Sequence, residues 1–283
     1  MKFTIFFRTL FASSFLLLYA NSIQSQDSGL VFEEVIVTAE KRDESLQSVS
    51  QAVTAITDSE IDAKNITSFV DLSSIVPGVT VAKNEGYKTI ISIRGVGNET
   101  NQNAIAAPSV AYHMDGIFIA SPFSLQTDFI DVQRIEVLRG PQGTLFGQNS
   151  TGGAINVISN KPTTDERFSK ADITYGDYGM KQLRSSSNFP ISDNVSTKLS
   201  LSAMTREGFT ENLATGQDLD DAHNLSFRTD WMIDVNDTTS LRIFGQYSSV
   251  DRNGAAIRGI DDQSPGMRKL SQNTISKQEL TSS

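Results

Sequence analysis

A glycine-dense stretch between two short β-prone segments places the strongest constraint on how this chain can fold. The flanking segments are Arg134–Leu138 and Ala154–Ile158, and five glycines lie between them: Gly140, Gly143, Gly147, Gly152 and Gly153. Glycine adopts backbone angles that other residues reach only with strain. The stretch therefore predicts a strand, a tight turn, a short helical turn and a second strand.

The charge balance and the lack of cysteine exclude several classes of function. The 283 residues carry a formal net charge of −9, and the sequence pI is about 4.8. Nucleic-acid binding needs clustered basic residues, so the sequence predicts no nucleic-acid partner. The chain contains no cysteine, which excludes disulfides, thiolate metal sites and thiol nucleophiles.

The first residues have the pattern of an export signal. Lys2 and Arg8 give a positive start, an apolar core follows at Leu10–Tyr19, and small or polar residues come next. We expect a signal peptide over residues 1–26, cleaved between Ala20 and Asp27; the alternative is a buried N-terminal helix. No later segment is long and apolar enough for a transmembrane helix, so a membrane would have to be crossed by strands.

From Leu46 onward the pattern is that of a compact α+β unit. Thr57 and Glu60 have capping-box spacing and predict a short helix through about Lys64, and the repeated spacing at Ser68 and Asp71 predicts a second helix over Phe69–Ile75. Further strands are predicted at Val79–Ala82, Thr89–Arg94 and Ser109–Ile119, in addition to the two beside the glycines.

After Pro162 the sequence changes to longer strands of alternating polarity. The predicted strands are Ala171–Tyr175, Gln182–Phe189, Thr197–Met204, Asn224–Ile233 and Leu241–Tyr247. This alternation fits a soluble antiparallel sheet as well as a membrane barrel. Short turns that alternate with a longer polar connection, and aromatic residues near strand ends, favour the barrel. In the last strand, Phe244 interrupts the polar face.

The amino-acid sequence from Arg134–Gly147 through Lys161-Pro162 resembles the signature that ends the plug domain of TonB-dependent outer-membrane receptors. Ile93-Arg94-Gly95 and Tyr112–Gly116 also match this family, as does Glu34–Ala39, which is similar to a TonB box. The resemblance implies an α+β plug domain followed by antiparallel transmembrane β-barrel strands. The implied organisation is a signal peptide (1–26), a periplasmic leader with the TonB box (27–45), a plug (46–162), first barrel strands (163–250) and a polar tail or truncated loop (251–283).

The same resemblance implies roles for particular residues. The residues expected to bind TonB are Glu34, Val35, Ile36, Val37, Thr38 and Ala39. Plug–barrel contacts are expected at Arg94, Arg134, Glu136 and Arg139, because guanidinium–carboxylate pairs persist when partly buried. The glycines of the plug turn are Gly140, Gly143 and Gly147. Residues expected to face a ligand are Asn98, Asn101, Gln102, Asn103, Ser124 and Gln126.

The resemblance implies energy-coupled uptake of a scarce nutrient, such as a ferric siderophore, at the outer membrane of a Gram-negative bacterium. The expected partners are TonB with its inner-membrane energising complex, the membrane and the small-molecule ligand. No enzyme activity, cofactor or metal site is predicted. Because about 22 strands close such a barrel, the sequence is expected to be an N-terminal fragment. The alternatives are a soluble periplasmic α/β interaction module and, more weakly, a soluble hydrolase.

Overall fold

The structure is a computed structural model, and it describes residues 35–38, 44–49, 51–84, 88–97, 108–121, 124–254, 269–270 and 278–282. The predicted signal peptide, Glu34 and Ala39 of the predicted TonB box, and the predicted ligand-facing residues Asn98, Asn101, Gln102 and Asn103 lie outside the described residues.

A five-stranded mixed sheet forms the centre of the N-terminal α+β part. Its strands, in spatial order, are β3 (Val53–Thr57), β9 (Val132–Arg139), β10 (Gly153–Ser159), β7 (Val110–Met114) and β8 (Ile117–Phe118). β10 runs antiparallel to β9 and parallel to β7. The two strands predicted beside the glycine stretch are therefore neighbours, with Ile155 opposite Val137.

Short helices cover one face of this central sheet. Helix α1 (Asp58–Ala63) begins at the predicted capping box: the Glu60 backbone N–H donates to Thr57 Oγ1, and the Thr57 N–H donates to the Glu60 carboxylate. The predicted second helix is a 3₁₀ turn (Phe69–Asp71) that continues into α2 (Leu72–Ile75). The Asp71 carboxylate accepts from the Ser68 N–H at 2.8 Å, and this hydrogen bond fixes the start of the 3₁₀ turn.

The main hydrophobic core lies between these helices and the central sheet. It contains Phe69 and Leu72 from the helical segment, Ile135 and Val137 from β9, and Ile155 from β10, all almost completely buried. A smaller apolar cluster covers the opposite face of the sheet, where Leu138, Ala154 and Phe146 pack together. Both faces of the sheet are therefore covered, which is why β10 is buried along its whole length.

Two smaller sheets complete the N-terminal part. One consists of β1 (Ile36–Val37) and β2 (Glu44–Ser45), and the other of β4 (Val79–Asn84), β5 (Lys88–Ile93) and β6 (Val96–Gly97). The prediction of one continuous strand over Ser109–Ile119 was wrong. Asp115 and Gly116, both with positive φ, form a tight turn that splits this segment into β7 and β8.

The C-terminal part is a six-stranded antiparallel sheet, which we call the wall. In spatial order it contains β11 (Phe168–Gly176), β12 (Met180–Ser192), β13 (Val195–Arg206), β16 (Ala222–Asn236), β17 (Thr239–Arg252) and β19 (Gln278–Ser282). The first five correspond to the predicted alternating strands, and β19 lies in the segment predicted as a tail. Between β13 and β16, a small sheet is formed by β14 (Thr210–Asn212) and β15 (Gln217–Leu219), with β18 (Lys269–Leu270) beside β14.

The wall has the opposite polarity to a water-soluble sheet. In β13 and β16, polar side chains at alternate positions face the N-terminal part and are buried, as for Arg228, which is 3% exposed. The apolar side chains between them face outward, as does Ile243 of β17; Phe227 is 42% and Ile243 53% exposed. The outward surface also contains Tyr175, Leu199, Leu225, Trp231, Leu241 and Tyr247. An outward apolar face and an inward polar face are typical of strands that contact lipid.

No helix within the described residues has the length and apolar character needed to cross a membrane.

Candidate functional site

The leader strand, defined as Val35–Thr38, is docked on the N-terminal part. Ile36 and Val37 pair with Ser45 and Glu44 of β2. The Val37 side chain is fully buried in the smaller apolar cluster, which includes Leu138 and Phe146. The leader strand is therefore held both by backbone pairing and by a buried apolar side chain.

A buried carboxylate fixes the end of the leader strand. The Thr38 backbone N–H donates to Glu136 Oε1 at 2.7 Å, and the Thr38 hydroxyl donates to the same carboxylate at 3.1 Å. Glu136 is 0% exposed; its charge is balanced by Arg134, whose Nε donates at 2.8 Å, and Asn156 Nδ2 donates to its second oxygen at 3.3 Å. A buried carboxylate with these donors is a specific receptor for a backbone N–H and a hydroxyl.

The glycine-dense turn closes beneath the leader strand. Gly140 and Gly147 have positive φ, as expected for the predicted turn, whereas Gly143 begins helix α3 (Gly143–Phe146). Gly153 has a φ of +147°, and a Cβ there would clash with the Leu138 carbonyl oxygen. This turn therefore depends on glycine for close backbone approach and places Phe146 next to Val37.

A buried charge cluster joins the N-terminal part to the wall. Asp115, at the β7–β8 turn, accepts from Arg228 Nη2 at 2.6 Å and from Arg242 Nη1 at 3.4 Å. Asp230 pairs with the same two arginines, and Ser159, at the end of β10, donates to Asp115 and accepts from Arg242. Burial alone would raise the pKa of the Asp115 carboxyl, but Arg228, Ser159 and Arg242 together lower it.

Two further aspartates of the N-terminal part contact the wall. Asp131, just before β9, pairs with Lys198 Nζ at 2.8 Å and accepts from the Ser200 hydroxyl. Asp128 accepts from Asn224 Nδ2 at 3.0 Å, and burial raises the pKa of its carboxyl to about 6. Apart from Ser159, the N-terminal part contributes carboxylates to these contacts, and the wall contributes basic, amide and hydroxyl donors.

The arginines and the glutamate predicted to contact the barrel occupy other positions in the described structure. Arg134 and Glu136 bind each other and the leader strand, as described above, and Arg139 Nη2 donates to Thr54 Oγ1 at 3.0 Å. Arg94 is exposed at a turn, where its backbone N–H donates to the Gly78 carbonyl. Contact of these residues with barrel strands stays a prediction.

Ser124 and Gln126, predicted to face a ligand, lie in a 3₁₀ helix (Ser124–Gln126) in which Gln126 is buried. Their role also stays a prediction.

Sequence reasoning missed Asp115, Asp131 and Asp128 as contacts to the wall. One available signal was the Asp115-Gly116 pair, because Asp-Gly is among the strongest short hairpin signals. Another was Phe244, which interrupts the polar face of β17: its ring lies 4.4 Å from the Arg228 guanidinium carbon and 5.4 Å from that of Arg242. A half-buried aromatic ring therefore covers the two arginines that bind Asp115.

Comparison with known proteins assigns the N-terminal part to a family. The family model described as TonB-dependent Receptor Plug Domain matches residues 45–154. The chain carries the plug domain of a TonB-dependent receptor. From here on, the N-terminal part is called the plug.

The similar proteins include outer-membrane receptors. The chain is 32% identical over 207 residues to the pesticin receptor of Yersinia pestis, with 70% of this chain and 28% of that receptor covered. It is 30% identical over 152 residues to the iron-regulated outer membrane virulence protein of Vibrio cholerae, with 51% of this chain and 22% of that protein covered. The chain thus spans less than a third of the length of these relatives.

The fold agrees with a solved receptor structure. The crystal structure of the ferric yersiniabactin uptake receptor FyuA from Yersinia pestis superposes with a TM-score of 0.68 at 24% identity, covering 78% of this chain and 34% of that one. This likeness extends to the fold of the plug and the first wall strands. The wall, which is open in the part of the chain that the structure describes, has the arrangement of an incomplete receptor barrel.

Proposed function

We propose that this chain is the N-terminal part of a receptor that imports a scarce nutrient, such as a ferric siderophore complex, across the outer membrane with energy supplied through TonB. The observation that carries the proposal is the docked leader strand on a plug whose polar wall contacts are buried while the wall's apolar side chains face outward. The names of the similar proteins, one of them a ferric yersiniabactin uptake receptor, support a metal-chelate ligand.

The leader strand is suited to recognition by strand addition. In the part of the chain that the structure describes, its backbone pairs with the two residues of β2 and accepts from the Leu46 N–H, and Ile36 is 51% exposed. A partner that offers a longer edge would gain backbone hydrogen bonds along the whole segment, and alternate side chains would give selectivity. TonB is the partner that this mode of binding favours, with residues 34–39 as the segment that it would engage.

The soluble interaction module is less well supported. A water-soluble sheet would place Phe227, Trp231 and Ile243 against a core, whereas all three are exposed on the outer face of the wall and the buried face is polar. Lipid contact accounts for this arrangement.

Uptake by the complete gene product tests the proposal. The variant Val37→Pro removes the backbone N–H that a partner strand would bind and restricts the backbone angle, so uptake of a radiolabelled ferric chelate should be lost. Binding of the chelate to whole cells should remain, because the substitution lies outside the wall and the plug–wall contacts. The matched control Val37→Ala keeps the N–H and should retain most of the uptake. Normal uptake by Val37→Pro would refute TonB engagement at this segment.

A further inference from the structure

The charge cluster between the plug and the wall has a composition that suits a permanent contact. It contains two carboxylates, Asp115 and Asp230, and two guanidinium groups, Arg228 and Arg242, so its formal charges cancel. Three of the four side chains are at most 3% exposed, and Arg242 is 17% exposed. Charges can be buried at this depth when each has a partner of opposite sign and further hydrogen bonds.

The plug contributes to this cluster through rigid backbone. Asp115 occupies a turn in which it and Gly116 both have positive φ, and its backbone N–H donates to the Val157 carbonyl of β10 at 2.9 Å. Ser159 lies beside a register shift in the β9–β10 ladder, and its N–H and hydroxyl both donate to the Asp115 carboxylate. A bulge redirects side chains at the end of a strand, and here Ser159 is aimed at the wall.

The wall side of the cluster is a binding pocket that is equally well ordered. Arg228 and Arg242 come from the neighbouring strands β16 and β17, and Asp230 holds both of them on the wall side. The Phe244 ring packs against both guanidinium groups. The basic pocket for Asp115 is therefore built within the wall itself.

A different plug–wall contact is much looser. The pair between Asp62 of α1 and Lys170 of β11 has both side chains about half exposed. A cavity of about 260 Å³ adjoins it, and its lining includes Asp62, Lys170, Arg184 and Asp131. The plug is therefore held to the wall unevenly, with tight contact at the ends of β7 and β10 and loose contact at α1.

We propose that Asp115, Ser159, Arg228, Asp230 and Arg242 form a fixed seat for the plug, and that this seat stays closed while the receptor works. The seat makes Asp115 and Ser159 positioning residues: they hold the ends of β7 and β10 against the wall while pull on the leader strand acts at its contacts with β2 and Glu136. The inference rests on the proposed uptake function.

A cross-link across the seat tests whether it stays closed. The 283 residues have no cysteine, so Asp115→Cys with Arg228→Cys provides a defined pair in a complete receptor in which any cysteine of the remaining sequence is replaced by serine. This double variant removes one charge of each sign and leaves Arg242 paired with Asp230. Bridging the two thiols with a short bifunctional reagent should leave the uptake rate unchanged, because the proposed motion does not open this contact. Loss of uptake on bridging, with chelate binding intact, would overturn the proposal.

Two controls make the result specific. Alkylation of the same cysteines with a monofunctional reagent shows how much of any change in uptake is caused by modifying the thiols and how much by the cross-link. Import of the ferric chelate by the unmodified receptor is measured first, so a failure of the proposed uptake function is detected before the seat is tested.

A charge-balance experiment tests the role of Asp115 directly. A cysteine at Ser248, which is 1% exposed on the inner face of the wall, reports plug displacement through its rate of alkylation. Asp115→Asn leaves two arginines with one carboxylate, and labelling should accelerate by about tenfold or more. Adding Arg228→Gln restores neutrality and should return the rate toward that of the parent. Additive acceleration in the double variant would show that the residues are not coupled and would overturn the seat.

Discussion

Replacing Glu136 by glutamine should release the leader strand from its docked position. The Glu136 carboxylate is fully buried and accepts from the Thr38 N–H, the Thr38 hydroxyl, Arg134 Nε and Asn156 Nδ2. A glutamine side chain has one acceptor oxygen, so its amide NH2 group would face either the Asn156 donor at the Oε2 position or the Thr38 and Arg134 donors at the Oε1 position. The variant therefore keeps at most part of the contact with Thr38.

The size of the effect follows from the lost contacts. A hydrogen bond to a charged group contributes about 1.5–3 kcal/mol, and part of the loss is recovered because Arg134 is 14% exposed and can turn to solvent. A net loss of about 2 kcal/mol in docking free energy corresponds to about a 30-fold increase in the ratio of undocked to docked leader strand.

Thiol labelling measures this ratio. Val37 is fully buried in the docked leader strand, and the 283 residues have no cysteine, so Val37→Cys gives one protected thiol once any cysteine of the remaining receptor sequence is replaced by serine. Glu136→Gln in this background should raise the maleimide labelling rate by about 30-fold, whereas Glu166→Gln, at an exposed position, should not change it. An unchanged rate in a correctly folded Glu136→Gln receptor would refute the idea that this carboxylate holds the leader strand.

Three further predictions concern the plug and the wall. Because burial raises the pKa of Asp128 to about 6, the native plug retains a proton that the unfolded chain releases above about pH 4, so plug stability should fall as pH rises from about 4 to 6; Asp128→Asn should remove this slope in thermal unfolding, and an unaltered slope would contradict the assignment. Gly153→Ala should cost more than about 2 kcal/mol in unfolding free energy because its Cβ would meet the Leu138 carbonyl, whereas Gly143→Ala, with open space around it, should be nearly neutral; equal effects would show that the turn has room. Phe227→Lys places a charge on the outward face and should reduce the heat-modifiable folded form on a gel at a cost of about 2–4 kcal/mol near the membrane centre, while Phe227→Leu should not; tolerance of lysine would argue against lipid contact there.

Local signals made much of the fold predictable. The capping box at Thr57 and Glu60 lies within one helical turn, so its residue types alone indicate where α1 begins. The alternation of Arg228 with Phe227 and Thr229 defines two faces of β16 in the same way. The alternation does not specify which face meets lipid, because a soluble sheet produces the same period.

The plug–wall contacts depend on tertiary structure and were therefore missed. Asp115 and Arg228 are 113 residues apart, and neither has a neighbour in sequence that indicates the other. Three plug arginines were expected to contact the barrel on the basis of their chemistry, but in the described residues Arg94 is exposed at a turn, Arg134 neutralises Glu136 and Arg139 binds Thr54. The Asp115-Gly116 pair between β-prone residues signals the turn, but a turn signal does not indicate that Asp115 contacts the wall.

The neutral arrangement of Asp115 with Arg228 and Arg242 also constrains evolution and engineering. A change of sign on either partner leaves an uncompensated charge, so substitutions at these distant positions are expected to occur together among related sequences. A chimera that places this plug in the barrel of another receptor should also need Arg228, Arg242 and Phe244 in that barrel.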